Sequence, residues 1–200
     1  MSHLKGKDSW NEKFEAGCRS FQCGQFSEAE TLFNDALVCI KDAKKQDPRL
    51  FSTLVCLGAC YRAQERFAEA EKSLRQAIEY RNDDKNFNAN DTAFAYKELA
   101  SCLYEAGKCD EVDVPIQTAL KIYEHCTENG KEEVAECLLI FSRTLIMRCQ
   151  FQQAEPLLEG CLDVFEKGGP EKTFELADTL TCQAIVWKST TPPPGRATPS

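Results

Sequence analysis

The chain has 200 residues, 42% of them hydrophobic and 28% charged, and a net charge of −8. No apolar run approaches the roughly 18 residues that would cross a bilayer, so no membrane insertion is expected. Binding to a phosphate backbone needs clustered Lys and Arg, and the acidic balance argues against nucleic acid as a partner.

Residues 1–9 read as a short polar N-terminal lead. They lack an apolar secretory core, so a cytoplasmic address is expected, with cytoskeletal association or the nucleus as alternatives. From residue 10 onward one spacing recurs. Taking Ala70 in FAEAEKSLRQA as a marker, its counterparts are Ala29, Val112 and Ala154, at intervals of 41, 42 and 42 residues. A fixed period in this range means stacked supersecondary units, that is, a solenoid. Four residues after each marker stands a bulky residue (Phe33, Leu74, Ile116, Leu158), and seven after it a small one (Ala36, Ala77, Ala119, Cys161). These positions share one face of a helix.

A second helix signature precedes each marker. Leu54, Leu57, Gly58 and Tyr61 stand at three-four spacing, as do Tyr96, Leu99, Ala100 and Leu103, and then Leu138, Phe141, Ser142 and Leu145. The small residue at Gly17, Gly58, Ala100 and Ser142 predicts close approach of the two helices of each unit. Helix pairs are expected at about 10–44, 49–81, 92–127 and 132–167, followed by an incomplete fifth unit at 171–188. Stop signals separate them: Asp47-Pro48, the polar stretch from Asn82, Asn129-Gly130 and Gly168-Gly169-Pro170.

In the fifth unit Leu180, Ala184 and Trp187 fall on the core positions, but the partner helix should follow near residue 196, where the chain reads KSTTPPPGRATPS. Three consecutive prolines cannot sit in a helix, so 189–200 reads as a disordered Pro/Thr-rich tail. The apolar face of the fifth unit leads to three alternatives. It self-associates or binds a partner, it is an alternative end on a longer array, or the unpaired helix caps the stack with Trp187 folded onto the fourth repeat.

Twelve cysteines and two histidines form no metal spacing, and no CxxC occurs. Cys56, Cys60, Cys102 and Cys161 are expected to be buried thiols, and Cys109 and Cys149 exposed ones. No cofactor or metal is expected. There is no GxSxG, phosphate loop or HExxH, so no enzyme activity is expected either.

The four aligned copies resemble tetratricopeptide repeats over about Trp10 to Trp187, and their long period resembles the kinesin light chain group. Asp47-Pro48 is similar to an Asp-His-Pro connection of that group. The resemblance implies an all-α, right-handed superhelical solenoid of antiparallel helix pairs, forming one array over 10–188. It further implies a non-catalytic scaffold or adaptor holding a peptide or helix of a partner in a concave groove. The alternatives are a spindle-orientation or signalling scaffold, or a regulatory subunit that docks an enzyme. By the same analogy the groove is lined from the first helices by Phe14, Phe21, Arg62, Phe94, Lys97, Tyr104, Arg143 and Ile146. Arg62, Lys97 and Arg143 from three successive repeats would meet one acidic peptide.

Overall fold

The computed structural model describes the backbone of residues 2–41, 47–82, 88–126 and 130–191, and the side chains of those residues except 2–8, 82 and 126. Two compact units divide at Lys108 and Cys109. The first holds α1 (Ser2–Gln22), α2 (Phe26–Cys39), α3 (Pro48–Ala63), α4 (Phe67–Asn82) and α5 (Ala89–Glu105). In the second are α6 (Asp113–Cys126), α7 (Lys131–Met147), α8 (Phe151–Lys167) and α9 (Thr173–Thr190), with single 3₁₀ turns before α6 and α9. No strand occurs among the described residues. The expected polar lead is instead the start of α1: its residues include no proline, and nothing in SHLKGKDS interrupts a helical backbone. Ser189 and Thr190 likewise belong to α9, and the rest of the expected tail beyond Thr191 lies outside the described residues.

Within each unit the repeats follow the period. All four marker positions are fully buried, as are the bulky residues four later and the small ones seven later. Close approach at the first-helix small position is tight. A Cβ added at Gly58 would stand 2.6 Å from Leu74 Cγ, and one at Gly17 would stand 2.7 Å from Phe33 Cε1. Only hydrogen fits there.

A second set of small buried positions joins each first helix to the preceding repeat. Thr53, Ala95, Cys137 and Thr179 hold equivalent places and are all buried. The threonine hydroxyls in this set need partners in an apolar seam. Thr53 Oγ1 donates to Arg49 O at 2.6 Å and accepts from the buried Trp10 indole N–H at 3.1 Å, and Thr179 Oγ1 donates to Glu175 O at 2.7 Å.

The turns joining paired helices carry the same period in their backbone. Gly24, Glu65, Gly107 and Cys149 all take positive φ, between 58° and 75°. Glycine is unstrained there, whereas Glu65 and Cys149 are not. Starts are marked by side chains. Asp47 caps α3 by accepting from Arg49 N at 3.0 Å, with Pro48 at the first helical position, and Asn88 caps α5 by accepting from Asn90 N at 3.0 Å.

Candidate functional site

The first-helix face expected to bind peptides is an ionic and partly closed surface. In the first unit Arg62, on α3, reaches across to α5. Its Nη2 donates to Glu98 Oε2 at 3.1 Å and its Nη1 to Glu105 Oε1 at 2.8 Å. Glu98 is buried, so the guanidinium neutralises a carboxylate that would otherwise be desolvated without a partner. Burial alone would lower the Arg62 pKa, but the two carboxylates outweigh it and raise it. Arg62 is therefore an inter-repeat tie as well as a candidate contact.

Beside it on α5, Lys97 Nζ lies 5.2 Å from the centroid of the Phe94 ring, a cation–π contact on an exposed aromatic. Tyr104, two turns on, is half-buried. In the second unit Arg143 Nη1 pairs with Asp178 Oδ2 of α9 at 3.3 Å.

Three of the expected groove residues belong to packing. Phe14 stacks on Trp10, with ring centroids 4.7 Å apart, and meets Phe33 at 5.5 Å. Phe21 meets Phe26 at 5.3 Å, and Ile146 packs on the core around Leu158. All three are half-buried. The groove spacing runs along the boundary between the open face and the seams with neighbouring helices, so large apolar residues at these positions turn inward. Equivalent positions with smaller side chains, Val55 and Ala59, are buried outright.

The structure thus brings together Arg62, Glu98 and Glu105, and separately Lys97 with Phe94. Glu98, Glu105 and Asp178 are the residues that sequence reasoning missed. A search for opposite charges about 36 positions apart would have found two of them, since Arg62–Glu98 and Arg143–Asp178 both have that separation within one residue.

The cysteines follow burial. Cys60, Cys102, Cys137, Cys161 and Cys182 are buried, Cys149 and Cys23 are exposed, and Cys56 and Cys109 are intermediate. Burial pushes the Cys60 and Cys161 thiols up to about 12 and those of Cys102 and Cys182 up to about 11. Cys18 moves the other way, lowered to about 7 by the hydrogen bond that the Cys56 thiol gives it. Among the described residues no group of three His, Cys, Asp or Glu side chains could hold a metal ion, and no helix is long and apolar enough to cross a membrane.

Comparisons with known proteins agree with this geometry. Residues 49–125 match the tetratricopeptide repeat family model. A Podosopora anserina protein described as a kinesin light chain with nearly identical repeats shares 18% identity, with 90% of this chain and 85% of that one covered and a TM-score of 0.71. BtubC (BKLC) from P. vanneervenii shares 17% identity over 93% of this chain and 82% of that one, with a TM-score of 0.72. The apo form of RapI shares 15% over 92% of this chain and 49% of that one, at 0.71. No curated protein matches by sequence. Residues 49–125 are thus similar to tetratricopeptide repeats, and the helix pairs have the fold of the kinesin-light-chain-like repeat structures.

Proposed function

We propose that the chain is a non-catalytic interaction scaffold that holds a peptide or helical segment of a partner protein against its first helices, in the cytoplasm. Helix-pair arrays expose the first helix of each repeat as a binding surface, and this supports the general reading. The observation that carries it is the α3–α5 face, where exposed Phe94 under Lys97 shares α5 with Glu98 and Glu105, the two acids that hold Arg62 of α3. An aromatic with a cation above it offers apolar area and a charge together. Glu105, the more open of the two acids, is the one an incoming carboxylate would displace from Arg62, while buried Glu98 stays.

Such a face selects a segment with an acidic residue next to an apolar one. The kinesin-light-chain likeness supports an adaptor role of this kind. The test is affinity capture from cytosol followed by mass spectrometry, comparing the parent with Phe94→Ala combined with Lys97→Glu. Phe94 is exposed and Lys97 half-buried on the helix surface, where substitution is expected to change stability little. Partners recovered by the parent should be lost or reduced with the variant, at unchanged circular dichroism and with weaker capture at high salt. Equal recovery by both proteins would exclude this face.

A further inference from the structure

Successive repeats are joined by a row of ion pairs, and the row stops at the end of α9. The residue after each marker is acidic: Glu30, Glu71, Asp113 and Glu155. In the first unit Arg66 Nη1 donates to Glu30 Oε2 at 2.7 Å and Lys108 Nζ to Glu71 Oε2 at 2.8 Å. In the second, Arg148 Nη1 donates to Asp113 Oδ1 at 3.0 Å. Each cation lies 35 to 37 positions beyond its acid, just before the second helix of the next repeat. The same interval from Glu155 falls on Thr190, Thr191 and Pro192, none of which is a cation. Glu155 is exposed and pairs with no described residue.

Among the described residues no second helix follows α9, and the place it would take lies beside Glu155. A groove of about 390 Å³ runs between α8 and α9, with Glu155 and Glu159 along one side and Leu180, Ala184 and Trp187 along the other. Trp187 is 70% exposed and Leu180 49%. In the two preceding repeats the residues equivalent to Ala184 and Trp187, Ala100 with Leu103 and Ser142 with Leu145, are buried.

We infer that this end face is a docking site for an amphipathic helix of a partner protein, one that carries a small–bulky–small apolar stripe and an Arg or Lys at its N-terminal flank. The stripe would fill the space over Ala184, and the cation would complete the row at Glu155. Charge selects this occupant over a second copy, and apolar content selects it over the chain's own residues 192–200, whose cation is Arg196. The α9 of a second copy brings Glu175 and Asp178 with Lys188 as its one cation, at its C-terminal end, toward two glutamates. Residues 192–200 contain no leucine, isoleucine, valine or aromatic residue to fill the groove.

The chain contains a suitable probe. A labelled synthetic peptide of residues 65–82 carries Arg66 ahead of the Ala70, Leu74 and Ala77 stripe, and its binding to the full chain is read by fluorescence anisotropy. Saturable binding is expected, weakened at least about tenfold by Trp187→Glu. Glu155→Lys should weaken it several-fold, and the Arg66→Glu peptide should regain affinity for the Glu155→Lys chain, as a complementary charge pair requires. Two results would overturn the inference: no binding at about 1 mM peptide, or binding that Trp187→Glu leaves unchanged. A chain dimer in sedimentation that Trp187→Glu disperses would also overturn it and give the face to a second copy. Loss of cytosolic partners from the Phe94→Ala, Lys97→Glu variant tests the other face and is independent of these outcomes.

Discussion

Helices α7 and α9 hold equivalent places in successive repeats of the second unit, yet half of α9 is bare. On the side toward the preceding repeat the two agree: Cys137 and Thr144 of α7 are buried, and so are their counterparts Thr179 and Val186 of α9. On the side toward the second helix of their own pair they part. Ser142 is fully buried and Leu145 is 3% exposed, while their counterparts Ala184 and Trp187 are exposed. The two faces of a first helix are therefore covered by different neighbours, and α9, with no second helix after it among the described residues, retains one of its two seams. Apolar area left to water forgoes about 25 cal/mol per Å² of stabilisation.

The sharpest way to break this comparison is truncation at the matched pair Leu145 and Trp187. Leu145→Ala empties a packed site in a complete repeat and should cost about 2–5 kcal/mol. Trp187→Ala removes a larger side chain but little buried contact, and should stay within about 0.5 kcal/mol. Chemical denaturation measures both. Equal losses would mean that Trp187 is covered in solution, as in the alternative where it folds onto the fourth repeat.

Enlargement probes the same seam from the opposite direction. Ser142→Leu forces a branched side chain against α8 and should cost about 1–3 kcal/mol by overpacking. Ala184→Leu points at open groove and should leave the thermal midpoint near that of the parent. A third comparison uses the ion-pair row. Asp113→Ala breaks a partly exposed pair with Arg148, whose side chain also donates to the Cys109 carbonyl, and should cost less than about 1 kcal/mol. Glu155→Ala, with no described partner, should cost nothing measurable. A loss at Glu155 equal to that at Asp113 would show that a cation reaches it.

These contrasts also explain what could be read from the sequence. The marker, the bulky residue four later and the small residue seven later are legible because one neighbour, the paired helix, sets both their size and their spacing. The inter-repeat seam is less legible. At Thr53, Ala95, Cys137 and Thr179 only small size is shared, and the residue types differ in polarity, so no apolar stripe marks them. Threonine fits because its hydroxyl returns to a carbonyl one turn back. Phe14, Phe21 and Ile146 were expected in a groove because spacing gives an angular position on the helix, whereas their direction is settled by neighbours such as Trp10, Phe26 and Leu158. Arg62 and Arg143 looked like open cations because their acids are about 36 residues away in sequence, on the next first helix. The exposed end of α9 could be anticipated from the prolines that follow it, but which residues it would bare depended on the two-seam arrangement.

The smallest expected effect is chemical, and it measures how firmly α9 is held by its single seam. Cys182 lies on the covered side of α9 and Cys161 in the core beneath it, whereas Cys149 is exposed in the turn before α8. Burial disfavours the charged thiolate, which raises Cys182 to about 11 and Cys161 to about 12. At pH 8 a thiol titrating near 11 is about one-thousandth thiolate, so alkylation through the folded state should be slow and should quicken as pH rises toward 11. Opening of α9 alone would return Cys182 toward the ordinary cysteine range and expose it, while Cys161 stays protected until the unit unfolds. Alkylation followed by peptide mass spectrometry should then give the order Cys149, Cys182, Cys161. The 65–82 peptide should slow Cys182 specifically if a second helix restores the missing seam. Simultaneous modification of Cys182 and Cys161 would show instead that one seam holds α9 as firmly as two hold α7.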